Sequence, residues 1–322
     1  MKTTMKILKW IGKILVGFII LVLISGLCFR LFSSKPVPPG KLVSVNETKL
    51  HIRAEGNKND LPTLVLESGA GGDTDMFHWI NEGLKEDMRV VRYDREGKGF
   101  SESSKDSITS EFYAHQLHEL LEESGEKPSY ILVGHSMGGP YNRIFRDLYP
   151  NEVKGMVFID SSHPEQWERL AENGLFEENQ IFLIKTLSIL SDLGIMGVYN
   201  QITSSKPIDG GLPKECQNRK MDLLVQSGDV YRRYLKEYAI NNDILLRAGS
   251  TTTLDSLPVL VFTATDQYGD AQKWFEMQEE LKELSTNGKQ LYVEANHGSI
   301  ITDKENAVII NKEIRSMAKL VE

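Results

Sequence analysis

Short runs of β-branched and aliphatic residues alternate with amphipathic patterns through most of this chain, and that alternation limits the folds open to it. LVSVN (42–46) and LHIRAEG (50–56) form a pair of opening strands around a polar turn. TLVLESG (63–69), RVVRYD (89–94), SYILVGHS (129–136), VKGMVFID (153–160) and PVLVFTATD (258–266) are continuous apolar runs closed by Gly, Asp or Ser. Such runs are the mark of strands buried on both faces, as in a parallel sheet. Between them lie FHWINEGLKEDM, ITSEFYAHQLHELLEES, YNRIFRDLY and AQKWFEMQEELKELS, all of helical pattern. The order predicts an α/β domain with helices on both faces of a mostly parallel sheet.

The rhythm breaks between His163 and Leu257. About ninety residues there hold helix-like pieces, IFLIKTLSILSDLGIM and YRRYLKEYAINNDILLR, and no strong strand. That is too long for a plain loop. It predicts a helical cap over roughly 164–256, inserted after the sixth strand. Its apolar positions, among them Phe182, Leu187 and Met196, suit a hydrophobic pocket or simply a core.

Charge is distributed unevenly. The first 35 residues carry Lys2, Lys6, Lys9, Lys13, Arg30 and Lys35 and no acid, so the net charge of -8 understates the acidity of the rest. An acidic body is a poor match for a phosphate backbone, and nucleic acid is not an expected partner. Cys28 and Cys216 are the only cysteines, which leaves no disulfide framework and no CxxC motif.

From Ile14 to Phe29 the chain is uncharged over 16 residues. A signal h-region spans about 7–15 residues and a membrane-crossing helix about 20. If Lys13 snorkels, the span can start at Trp10 and reach that length. The expectation is an uncleaved anchor over 1–32, with a cleaved signal as the alternative. The lysines stay cytoplasmic by the positive-inside rule, which sends the body outside. Residues 33–40, SSKPVPPG, read as a proline-stiffened linker, and 41–322 as the folded domain.

The motif with most chemical content is Gly134-His135-Ser136-Met137-Gly138-Gly139, placed between a strand and a helix. It matches G-x-S-x-G, in which a tight turn exposes the serine oxygen at a helix N-terminus. A serine needs a base, and the base an orienting acid. His297 follows the strand QLYVEA as Asn296-His297-Gly298, just before the last helix, and is the candidate base. His135 is expected to point away from the serine, and His163 to shape the cap entry. Two carboxylates end strands ahead of His297. Asp266 gives the order Ser, Asp, His with the acid on the strand before the histidine's, and is preferred. Asp160 is the alternative and Asp270 a distant third. The oxyanion donors are expected at the backbone N–H of Met137 and, from the loop Ser68-Gly69-Ala70-Gly71-Gly72, of Ala70.

YDREGKGFS (93–101), GHSMGG (134–139) and VFIDSSHPE (157–165) together resemble the α/β-hydrolase superfamily, over essentially Lys41 to the C-terminus. The resemblance implies an α/β-hydrolase fold with Ser136 as nucleophile, Asp266 as acid, His297 as base and Ala70 and Met137 as oxyanion donors. It implies no cofactor and no metal. One departure is Ser68-Gly69 where the family's oxyanion loop has His-Gly. A serine at 136 rather than an aspartate speaks against the epoxide-hydrolase and dehalogenase branches. Asp94 and Arg95 are expected to lock a turn. The expected activity is hydrolysis of carboxylic esters, of small-acyl or hydrophobic small-molecule type, at a membrane. The rival readings are an amide-cleaving, aminopeptidase-like enzyme and a non-catalytic ligand-binding member of the fold.

Overall fold

The computed structural model describes residues 2–104, 106–170, 178–203, 210–267 and 269–322. Eight strands form one sheet: β1 (Lys41–Val45), β2 (Thr48–Glu55), β3 (Thr63–Glu67), β4 (Val90–Tyr93), β5 (Tyr130–His135), β6 (Val153–Ile159), β7 (Val259–Asp266) and β8 (Gly288–Asn296). Their order is β1-β2-β4-β3-β5-β6-β7-β8. β1 and β2 pair antiparallel, as do β2 and β4. Every pair from β4 through β3 to β8 is parallel. The continuous apolar runs are therefore the central strands.

Side-chain alternation divides the core between the two faces. Tyr130 and Leu132 of β5, with Met156 and Phe158 of β6, pack among Ile144, Phe145 and residues of helix Phe112–Glu123. Ile131, Val133, Val157 and Ile159 take the opposite face, against Ile310 and Ile314 of helix Lys304–Leu320. Covering both faces leaves the carboxyl ends of β5 to β8 as the place where polar residues gather.

The described chain divides into two compact units. The sheet belongs to the unit made of Pro38–Phe176, Asp209–Gln217 and Arg233–Glu322. Helix Asn241–Gly249 is part of it, and packs Ile244 and Leu245 into the face that holds Phe145. The other unit joins helix Lys2–Phe32 to helices Glu178–Asp192 and Ile195–Thr203. Within it, Gly26 and Gly194 approach so closely that a Cβ on Gly26 would meet the Leu193 carbonyl oxygen at 2.2 Å. The stretch Thr3–Phe32 is long and apolar enough to cross a membrane, with mean hydropathy 2.6 in its most apolar window.

Among its described residues the insertion expected at 164–256 holds helices joined by turns and coil, and no strand; 171–177 and 204–209 lie outside the described residues. Its helices differ from the sequence reading in one respect. Each long helical pattern is two helices. IFLIKTLSILSDLGIM bends by 89° between Glu178–Asp192 and Ile195–Thr203. Gly194 takes a φ of +75° at the corner, a conformation that costs glycine little.

Phe158 is wholly buried in β6, so Phe158→Ala is expected to cost about 3–5 kcal/mol. Urea unfolding followed by circular dichroism measures it; a loss below about 1 kcal/mol would contradict the packing described.

Candidate active site

Ser136 follows β5 directly and has a φ of +54°, the left-handed turn that an elbow requires. Such a backbone costs a non-glycine residue about 1–2 kcal/mol and persists only where the surroundings hold it. Here the holding is visible. The Ser136 N–H donates to the Ile159 carbonyl at 3.3 Å, and its own carbonyl accepts from Gly139 and Ser162 at 3.1 and 3.0 Å. The crossing of strand and helix is so close that a Cβ on Gly134 would lie 2.5 Å from the Gly138 backbone. Helix Gly138–Leu148 begins there, with Met137 at its N-cap.

The carboxylate on His297 is Asp160, not Asp266. His297 Nδ1 donates to Asp160 Oδ2 at 2.6 Å. Asp160 is fully buried just past the end of β6, itself at a φ of +43°. Its Oδ1 accepts from Ala264 N at 3.1 Å, Gln267 Nε2 at 3.1 Å and Trp274 Nε1 at 2.9 Å. Burial alone would raise this carboxyl, but its hydrogen bond with His297, that residue's charge and the Trp274 and Ala264 donors outweigh it and hold the pKa below the usual carboxylate range. An ionised Asp160 makes Nδ1 the donor and leaves Nε2 as the basic nitrogen.

Asp266, the acid preferred from the sequence, is exposed at the end of β7 and has no bond to His297. The register between β7 and β8 shifts between Ala264 and Asp266, at the point where β7 passes from buried to exposed residues. Asp270, the third candidate, caps helix Ala271–Glu283 by accepting from Lys273 N.

His135 has a larger part than its place in the strand suggested. Its Nε2 donates to the His297 carbonyl at 2.8 Å, and the two rings lie 4.6 Å apart. Through this neighbour of Ser136 the elbow holds the loop that carries His297. Burial first, and then the nearby His297, push the His135 imidazole down to about 3.

The loop Ser68–Gly72 closes on the same place. A Cβ on Gly69 would sit 2.8 Å from Ser136 Cβ, which only glycine avoids. Ala70 is half-buried and Met137 buried. Among the described residues, neither Ala70 N–H nor Met137 N–H donates to a protein acceptor. Arg95 holds this loop: Nη1 donates to the Ser68 carbonyl at 2.6 Å and Nη2 to the Gly69 carbonyl at 2.8 Å. Asp94 locks the neighbouring turn, accepting from Thr74 N at 2.8 Å and Phe100 N at 2.9 Å.

His163, Glu165 and Glu280 place ligand-type atoms within 4.8 Å of one another. Their bonds are already made among themselves and with Arg169. Arg169 Nη1 donates to both carboxylate oxygens of Glu280, at 2.7 and 2.8 Å, and His163 Nδ1 accepts from Glu165 N at 3.2 Å. Burial pushes His163 down to about 4.

Two buried histidines that stay neutral set a pH dependence. Below about pH 6.5 the unfolded chain protonates them while the folded chain does not, so stability falls as pH drops from about 6.5 toward 4. Each contributes about 1.4 kcal/mol per pH unit in that window. Asp160 acts separately, its contribution fading only below the unfolded carboxylate value of about 3.9. Urea midpoints at pH 7, 6 and 5 are expected to decline, and His135→Gln or His163→Gln to flatten the decline. A flat parent profile would contradict the burial of these rings.

The family model for the alpha/beta hydrolase fold matches residues 62–188, from β3 through Ser136 and Asp160 into the insertion. An uncharacterized protein of Bacillus subtilis, YbdG, is 29% identical over 174 residues, 52% of this chain and 53% of its own length. Lipase 1 of Psychrobacter immobilis is 32% identical over 170 residues, 44% of this chain and 53% of that protein. The chain thus spans about half the length of these curated relatives. The crystal structure of MGS-M2, an alpha/beta hydrolase enzyme from a deep-sea metagenome of the Medee basin, superposes with a TM-score of 0.58 at 17% identity. That superposition covers 86% of this chain and 96% of the other. The strand order, the left-handed turn between β5 and its helix, the family match over 62–188 and the shared architecture agree, and the chain has the α/β-hydrolase fold.

Proposed function

We propose that this protein is a serine hydrolase of carboxylic esters, with Ser136 as nucleophile, His297 as base and Asp160 as the orienting acid. The observation that carries the reading is the 2.6 Å bond of His297 to the buried Asp160, with His135, the neighbour of the left-handed Ser136, bonded to the His297 carbonyl. Ser136 Oγ attacks the ester carbonyl carbon as His297 Nε2 takes its proton, and Asp160 stabilises the imidazolium that forms. The oxyanion develops toward the N–H groups of Ala70 and Met137, in reach of the helix N-terminus. Collapse breaks the bond to the alcohol, which leaves with the proton from His297. Water repeats the sequence on the acyl-serine and releases the acid. No step calls for a metal or cofactor. The similarity to a lipase supports ester chemistry.

An aminopeptidase-like reading would need a carboxylate free for a substrate amine. Glu178 and Glu215 are exposed, and Asp192 is paired with Arg232 at 2.6 Å. Glu237, the one fully buried acid among the described residues of the insertion, is held by Arg95 and Lys98. In the same proposal helix Lys2–Phe32 is an uncleaved anchor, with the hydrolase on the outer side of the membrane.

Hydrolysis of p-nitrophenyl esters from acetate to palmitate by the full chain tests the assignment. Ser136→Ala is expected to abolish turnover, and Asp160→Asn to lower kcat by about 10³–10⁴-fold. Asp266→Asn should stay within about threefold of the parent. Near-zero turnover by a folded parent would sink the ester reading, and a larger loss at Asp266 than at Asp160 would reverse the choice of acid.

A further inference from the structure

Arg95 and Glu237 are both buried, and both end on the loop that carries the Ala70 N–H. Arg95 comes from the turn after β4 and Glu237 from helix Asp229–Ala239 of the insertion. They meet through Arg95 Nη2 and Glu237 Oε1 at 2.5 Å, with Nε on the same oxygen at 3.2 Å. The other oxygen of Glu237 accepts from Gly71 N at 3.1 Å and pairs with Lys98. Arg95 also pairs with Glu67, so the cluster holds two acids and two bases. Its guanidinium lies over the Tyr141 ring, 4.6 Å from the centroid.

A peptide unit is planar and trans, so its C=O and N–H point in opposite directions. The carbonyl of Gly69 and the N–H of Ala70 belong to one such unit. Arg95, by binding the Gly69 carbonyl at 2.8 Å, turns the Ala70 N–H to the far side of that plane. The next unit joins the Ala70 carbonyl to the Gly71 N–H, and Glu237 holds that N–H. Each peptide plane beside Ala70 is thus held by one member of an ion pair, the first also by the Gly72 N–H, which donates to the Gly69 carbonyl at 3.1 Å.

We infer that Arg95 and Glu237 are positioning residues that aim the Ala70 N–H at the oxyanion, and that the insertion after β6 thereby supplies part of the catalytic apparatus. The inference rests on the serine-hydrolase reading above. It also gives a reason for burying four charges, since a buried ion pair is rarely a net source of stability compared with apolar residues and is better suited to fixing one conformation. Burial would raise the Glu237 carboxyl, but Lys98 and Arg95 bring it down to about 2, so it remains an acceptor throughout the neutral range.

Two full-length variants test this. Glu237→Gln keeps the shape but cannot accept from Arg95, Lys98 and Gly71 together. Arg95→Lys keeps the charge but cannot span the Ser68 and Gly69 carbonyls. Either folded variant is expected to lose about 10–100-fold in kcat, short of the 10²–10³ of a removed oxyanion donor, with KM within about threefold. Affinity for a trifluoromethyl ketone that adds Ser136 as a hemiketal should fall in parallel, because that adduct uses the oxyanion site. The pH profile of kcat should keep its midpoint, since His297 and Asp160 are untouched. Unchanged kcat and ketone affinity in either folded variant, with an active parent, would overturn the inference alone. A parent that neither turns over esters nor binds the ketone would overturn the hydrolase reading and this inference with it.

Discussion

The Asp160 carboxylate is the point on which the carboxyl edge of the sheet converges. A buried carboxylate is tolerated only where donors replace its water, and four groups do so: the backbone of β7, Gln267, Trp274 and His297. Those donors lie far along the chain from Asp160, three of them between Ala264 and Trp274 and the fourth at His297. Their convergence ties the end of β6 to β7, to helix Ala271–Glu283 and to the loop after β8. His135 completes the circle by binding the carbonyl of His297 from beside Ser136. The proposed nucleophile and base are brought to one place by hydrogen bonds that must all form together, and that coupling makes a loop histidine suitable for precise work.

Much of this was open to inspection in the sequence. β-Branched runs closed by Gly, Asp or Ser have few uses other than central strands, so the sheet and its strand limits are legible from Thr63 to Asn296. Ser136 and His297 are legible too, because an elbow needs its glycines and a histidine after the last strand falls at the sheet edge. The acid was not. Asp160 and Asp266 both end strands, and placement in the chain favours Asp266, on the strand just before the histidine's. What separates them is the register shift between Ala264 and Asp266 and the direction from which Gln267 and Trp274 approach. Neither has a local signature. The two broken helices of the insertion were hidden for a related reason, since apolar periodicity continues across Gly194 although the axis turns.

The second buried cluster, Glu67 with Arg95, Lys98 and Glu237, shows how an insertion can become part of a site without contributing a reactive group. A charge pair in the interior must be satisfied from several sides, and here the available partners include the loop beside the nucleophile. The sequence pointed to Arg95 as a turn residue and gave no sign of Glu237, which lies in an unremarkable amphipathic helix. Long-range ion pairs of this kind are invisible to spacing and periodicity, because they depend on which helix the insertion lays against the sheet unit.

The central claim is that Ser136 is a nucleophile activated by the Asp160–His297 pair. Treating the full chain, in detergent, with a fluorophosphonate and mapping the adduct by mass spectrometry tests it most directly. A single phosphonyl adduct on the peptide containing Ser136, sharply slowed in Asp160→Asn, is the predicted result. A folded protein that takes no label, or takes it on another serine, would contradict it.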